Sequence, residues 1–266
     1  MTRSWTALTI AIAASGWLPS CTAPSQNSAQ ERELEVFAAA SLRNVAQELA
    51  TAFKAENGGT LVFNFAGSNT LAQQILAAPR GQIFLSADRA WVDVLEERGA
   101  ARAETRRRIF SNQLVLVAST RSPLAAPVSH LRDLAGLEFS GLVLAEPRGV
   151  PAGRYARAAL EATPSSGSTL WQLVASRVVP TPDVGAALAL VESATDLLGI
   201  VYRTDADASS GVRILCEIEP LPEQQVAYWA VAAQRGPFEL GNRFLDFLVG
   251  PVAQRIVARH GFVPLN

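Results

Sequence analysis

Two serines stand where the chain passes from an apolar, extended stretch into a helical pattern: Ser41 after residues 34–37, and Ser68 after the alternating Leu61, Phe63 and Phe65. A hydroxyl at a helix start meets backbone N–H groups that have no intrahelical partner, together with the positive end of the helix dipole. Two further helix starts are marked by other means. Pro151-Ala152 follows Gly149-Val150, and Asp183-Val184 follows the turn Pro180-Thr181-Pro182. A single serine so placed is ordinarily a plain N-cap. Four such starts in one chain make a set of hydroxyl and amide donors suited to an anion.

Few other residues can do chemistry. His130 and His260 are the only histidines, and Cys21 and Cys216 the only cysteines. No zinc or haem spacing results, and neither a directly ligated metal nor a disulfide framework is expected. Cys216 sits in the apolar alternation of Val212, Ile214 and Ile218 and reads as a buried structural thiol. A serine hydrolase using Ser68 is the alternative from a different class. No G-x-S-x-G elbow surrounds Ser68, and only His130, near a helix start, or His260, at a helix end beside Gly261, could act as its base. The expectation is therefore a binding protein, with no enzymatic activity and no cofactor.

The elements that must position these groups alternate strand and helix from Leu34 onward, the pattern of an α/β fold with largely parallel sheets. The first strand leads to a helix with the stripe Val45, Leu49 and Phe53, stopped by Gly58-Gly59. A strand at 61–65, a helix begun by Leu71 and Ile75, a strand at 83–86, a helix at 88–98 and an apolar run at 114–118 follow. A second set comprises a strand at 142–145, helices at 151–162 and 183–193, and strands at 199–202 and 212–218. A strand at 226–232 then leads to two helices split by Gly250-Pro251, expected to pack back on the first set. The expected organisation is two lobes, each a mostly parallel sheet flanked by helices, with residues 33–112 and 228–266 in lobe 1 and 113–227 in lobe 2. Two chain crossings between them place a ligand cleft at the carboxyl ends of the strands.

Composition narrows the class. The chain has 266 residues, 49% of them hydrophobic, and a formal net charge of -1, which excludes disorder and gives no large basic face for nucleic acid. The short basic run at 106–108 reads as a solvated face at the end of a helix or loop. Ahead of the fold, Arg3 and an apolar run at 5–18 read as a secretion signal over residues 1–21, too short to span a bilayer. Residues 22–32, rich in Ser, Gln, Ala and Pro, read as a flexible linker. Leu18-Pro19-Ser20-Cys21 resembles a lipobox, so Cys21 is a lipidation candidate. Cleavage near it with release into the periplasm is the other reading. A cytosolic sensing domain is disfavoured by the same signal segment and by the lack of a helix-turn-helix before Leu34.

Taken together, the segments 36–42, 65–72, 83–88, 150–156, 183–192 and 199–202 resemble the periplasmic molybdate-binding proteins that feed molybdate ABC transporters, over nearly all of residues 34–262. The resemblance implies the two-lobed periplasmic-binding-protein fold and a tetrahedral oxyanion held by Ser41, Ser68, Ala152, Val184 and Tyr202. Molybdenum is then held through its oxo groups. The implied ligand is molybdate or tungstate, the implied partner an inner-membrane ABC permease with its ATPase, and the expected state a monomer. Sulfate or another oxyanion is the alternative ligand. The chain departs from the family at Gly67-Ser68-Asn69, where a run of serines is common, and at Gln82, where an aspartate is usual. Neither departure removes a donor; they bear on the ranking of ligands more than on the receptor assignment, since a neighbour of Ser68 alters pocket size.

Overall fold

A computed structural model describes residues 33–78, 83–124, 128–222, 224–235 and 238–265. The secretion signal, the linker, Cys21 and Gln82 lie outside the described residues.

Ten strands form two five-stranded sheets. The first has the order β2 (Thr60–Ala66), β1 (Glu33–Ala39), β3 (Ile83–Ser86), β12 (Ala227–Ala232) and β4 (Arg107–Ser111). β1 pairs in parallel with β2 and β3, while β12 runs antiparallel to β3 and β4. The second has the order β11 (Val212–Ile218), β5 (Leu114–Ser119), β10 (Leu197–Tyr202), β6 (Gly141–Ala145) and β9 (Val178–Thr181). There β6 is parallel to β10 and β9, and β5 is antiparallel to β10 and β11. The reversed strands, β5 and β12, are the ones that each crossing of the chain enters first. The remaining strands, β7 (Pro164–Ser165) and β8 (Ser168–Thr169), make a small hairpin.

Strand alternation sorts the first sheet's side chains into two layers. Leu34, Val36 and Ala38 face the stripe Val45, Leu49 and Phe53 of α1 (Arg43–Asn57), with Phe244 and Leu248 of α8 (Phe238–Val249). Phe37, Phe84 and Val231 face α2 (Ser68–Ala77) and α3 (Ala90–Glu97) through Leu71, Ile75, Val92 and Leu95. Gly58 ends α1 at φ +68°, the left-handed region glycine enters freely. In the second sheet β5 and β6 are buried at every residue, because α4 (Pro151–Ala162) and α6 (Val184–Ser193) help to cover it. α9 (Pro251–Arg259) packs on α1 and α8, so the C-terminal pair does return to the first sheet.

Two expectations need correction. Residues 107–111 form the edge strand β4, and Arg106 beside it is held by Asp93 and Glu96, each at 3.0 Å, rather than solvated. Pro180 and Thr181, expected in a turn with Pro182, instead close the strand β9 over residues 178–181. Pro180 is tolerated there because β9 is the outermost strand and its missing N–H breaks no central ladder.

Candidate functional site

Five strand-to-helix junctions converge between the sheets. They are the 3-10 turn Ala40–Leu42 after β1, the start of α2 after β2, the starts of α4 and α6 after β6 and β9, and Tyr202 where β10 meets α7 (Arg203–Asp207). Ser41, Ser68, Ala152, Val184 and Tyr202 line one chamber together with Gly67, Ala87 and Pro151. All five are 1–4% exposed. The chamber's volume is only about 10 Å³, far below the ~300–1,000 Å³ of pockets for drug-sized ligands. The residues that line it leave no room for anything larger than a small ion.

The serines are not the N-caps that sequence position suggested. Ser41 sits inside the 3-10 turn, and Ser68 is the first residue of α2, whose N-cap is Gly67. Each hydroxyl is instead oriented from elsewhere in the first lobe. Ala87 N–H donates to Ser68 Oγ at 3.1 Å. Ser41 Oγ lies 2.8 Å from Tyr228 Oη, which accepts in turn from Asn112 Nδ2 at 3.4 Å. Tyr228 is fully buried, and Ser41 Oγ is the acceptor recorded within reach of its proton, so Tyr228 donates and Ser41 accepts. Both serines therefore receive a hydrogen bond from the protein and keep their own O–H to donate into the chamber. The Tyr202 hydroxyl has no hydrogen-bond partner among the described residues. Burial, with Tyr228 next in effect, lifts its pKa well above the ordinary phenol value, so it remains a donor at any physiological pH.

The second lobe adds backbone donors. α4 opens with Pro151, which has no N–H, and its N-cap Val150 offers no side-chain acceptor. The first intrahelical bond is Arg154 N–H to Val150 O, which leaves the Ala152 N–H without a helical partner. Gly153 permits the approach: a Cβ there would fall 2.0 Å from Ala145 O, so only glycine lets α4 start hard against β6. At α6, Asp183 caps Ala186 N–H at 2.9 Å, and Val184, the first residue of the helix, has an N–H with no helical partner and lines the chamber. Asp183 is the one acid in the chamber lining among the described residues, and this cap turns its carboxylate to its own helix.

Two contacts bridge the lobes beside the chamber. Arg154 Nη1 donates to Asp88 Oδ2 at 2.7 Å, and Trp91 Nε1 donates to Gly149 O at 2.8 Å. Asp88 is 4% exposed, and burial raises its carboxyl above the ordinary value against the pull of Arg154.

A family model described as bacterial extracellular solute-binding protein matches residues 34–263. The chain belongs to the bacterial extracellular solute-binding proteins. Among named relatives of this solute-binding protein, the molybdate-binding protein ModA of Escherichia coli (strain K12) is 37% identical over 88% of this chain and 90% of its own length. The protein of the same name from Haemophilus influenzae is 33% identical over 88% and 91%. In fold, the Azotobacter vinelandii periplasmic molybdate-binding protein superposes with a TM-score of 0.72 at 23% identity, covering 88% of this chain and all of that one. The sulfate-binding protein SubI of Mycobacterium tuberculosis gives 0.75 at 16% identity, covering 88% and 87%. These structures establish the two-lobed periplasmic-binding-protein fold.

The remaining candidates lie away from the chamber of this solute-binding protein. His260 ends α9 and pairs with Glu48 at 2.8 Å, and His130 heads the 3-10 turn Leu131–Gly136. Cys216 is buried in β11 with its thiol pushed up to about 11, mainly by burial. Among the described residues no group of three or more His, Cys, Asp or Glu side chains could hold a metal ion. Sequence reasoning missed Tyr228, Ala87 and Asn112. None carries a local signal, because each reaches the site through pairing distant in sequence.

Proposed function

We propose that the chain captures molybdate, and tungstate almost equally, between its lobes and delivers it to an ABC permease with its ATPase. Ser41, Ser68, Ala152, Val184 and Tyr202 are the ligand-binding residues in this reading. The observation that carries it is a buried chamber between the lobes in which three hydroxyls have protons to give and two helix starts present amides. The identity to relatives named for molybdate supports the choice of ion.

The chemistry follows from the donor set. Molybdate is fully deprotonated near neutral pH and accepts at all four oxygens. Hydrogen bonds to an ionised acceptor are roughly twice as strong as neutral ones, so a few donors suffice without a lysine or arginine in the chamber. Protonated phosphate would turn its own hydrogen toward donors, an unpaired buried group costing about 1–3 kcal/mol. Sulfate lacks that hydrogen and is separated only by its smaller size. Because donors come from both lobes, lobe 1 (33–112 and 228–266) and lobe 2 (113–227) close on the ion about the crossings near Asn112 and before Ala227, and the bound ion shifts the population toward the closed form.

Residues 1–21 export the chain in this reading, residues 22–32 tether it, and Cys21 is the candidate for acylation. The protein acts outside the cytoplasm as a monomer. The test is a thermal-shift panel of molybdate, tungstate, sulfate and phosphate. At 1,000 times Kd a bound ligand adds about 4 kcal/mol, a rise on the order of 10 °C for a chain of this size. Equal shifts with all four ions, or none, would overturn the reading.

A further inference from the structure

We propose that an arginine-lined groove beside the chamber is an outer anion-binding vestibule, which gathers doubly charged oxyanions and hands them inward past Arg154. The proposal rests on the oxyanion reading of the chamber. The groove runs between the lobes and has a volume of about 800 Å³. Arg89 and Arg108 line it from the first lobe, and Arg148, Arg154 and Arg157 from the second. Against these five guanidinium groups the lining holds the carboxylates of Asp88 and Glu161, which pair with Arg154 and Arg157, while Asp93 and Glu146 at its margin pair with Arg89 and Arg148. The fifth guanidinium, Arg108, leaves the groove with a local excess of positive charge in a chain that is nearly neutral as a whole.

Three details make the patch more than a solvated surface. Lys54 is the only lysine among 23 basic residues, so the groove presents guanidinium forks, which match oxyanion geometry better than an ammonium does. Arg108 is exposed on β4 and has no carboxylate partner among the described residues. The groove also adjoins the chamber directly. Ala87 lines the chamber while Asp88 lines the groove, and Ala152 lines the chamber while Arg154 and Tyr155 line the groove.

Arg154 stands at the boundary. It is held by Asp88 across the lobes at 2.7 Å. Its side chain is 41% exposed, so it faces the groove as well. When the lobes part, that pair separates and the guanidinium is free for an incoming dianion. Closure then returns Arg154 to Asp88 and leaves the ion to the neutral donors inside. The groove supplies rate and the chamber supplies selectivity.

A dianion about 10 Å from one positive charge in water at low salt is enriched roughly fourfold, and at ionic strengths near 0.3 M most of that is screened. The experiment is stopped-flow mixing of the mature chain with molybdate, followed by tryptophan fluorescence, for which Trp91 at the lobe contact is a natural reporter. Arg108→Gln, Arg157→Gln and their double variant are compared with the parent at about 0.01 M and 0.3 M salt. The expected result is a low-salt association rate reduced roughly fourfold by each change and on the order of tenfold by both, with dissociation unchanged within about twofold and the rates converging at high salt. Arg108→Lys and Arg157→Lys should keep most of the parent rate, and the second separates charge from folding damage at Arg157, whose guanidinium also stacks on Trp171. A double variant with the parent's low-salt rate, or a slowing that persists equally at high salt, overturns the vestibule while the chamber stands. A parent chain that binds neither molybdate, tungstate nor sulfate overturns both.

Discussion

Replacing Tyr202 by phenylalanine should move stability and affinity in different directions. The hydroxyl has no partner among the described residues, so the substitution takes no hydrogen bond from the protein. The ring stays packed, 6.0 Å from that of Tyr228. A buried, unsatisfied hydroxyl costs about 1–3 kcal/mol, so the melting temperature of the unliganded chain should hold or rise, by roughly 2–4 °C per kcal/mol recovered. For the bound ion the sign reverses. A hydrogen bond to a charged acceptor contributes about 1.5–3 kcal/mol, so molybdate should bind about 10- to 150-fold more weakly. Titration calorimetry and differential scanning calorimetry on the same preparations read both quantities. A Kd within twofold of the parent, or an unliganded melting temperature that falls by more than about 5 °C, would refute the argument, the second outcome because it would show the hydroxyl bonded within the protein.

Other perturbations follow from the same geometry. Arg154→Gln removes the cross-lobe partner of buried Asp88. Breaking a fully buried pair costs about 3–5 kcal/mol, and the exposure of Arg154 reduces this, so molybdate affinity should fall on the order of tenfold by calorimetry. Gly153→Ala places a Cβ 2.0 Å from Ala145 O, a backbone atom that cannot step aside, so α4 must shift and carry the Ala152 amide with it. Loss of molybdate binding together with a markedly lower melting temperature is expected, since overpacking of this kind costs about 1–3 kcal/mol or more. Asp205 on α7 is buried with Oδ2 unpartnered, and burial, with Asp183 adding to it, holds its carboxyl at about 8 against an ordinary 3.8. Between those values the unfolded chain has lost a proton that the fold keeps, so stability falls as pH rises through that window and is level outside it. Asp205→Asn should therefore raise the melting temperature near pH 8 by at least about 2–4 °C and leave it unchanged near pH 4. An equal effect at both would show that burial of this carboxyl is not the cause.

Much of the architecture was legible because its punctuation is local. Pro151 opens α4, Gly58 closes α1 and Gly250-Pro251 divides α8 from α9, each for a backbone reason that a neighbouring residue cannot supply. The strands that were missed, β4 and β9, are sheet edges whose sequences carry two arginines and a proline in place of alternation, and they pair through partners far along the chain. The site divides the same way. Helix starts mark Ala152 and Val184, and strand ends mark the approach of Ser41 and Ser68. That Tyr228 and Ala87, and not the serines' own helices, take up the serine oxygens depends on registers that only the assembled sheet sets. The groove arginines are scattered from Arg89 to Arg157, so no window of sequence reveals their convergence.

Inside and outside the chamber, the two kinds of donor answer different demands. A guanidinium inside would bind every dianion strongly and hold it through charge, with little dependence on the oxygen positions. Neutral hydroxyls and amides fixed by Tyr228, Ala87 and two helix starts can satisfy an ion only where its oxygens meet them, so size decides. Charge is useful earlier, where distance is large and geometry undefined. The separation has a measurable consequence. Changes to Arg108 or Arg157 should slow the association of sulfate and molybdate by the same factor, whereas Tyr202→Phe or Ser41→Ala should act on dissociation and alter the ratio of their affinities. If a groove substitution changed that ratio, or a chamber substitution left it fixed, rate and selectivity would not be carried by separate parts of the cleft.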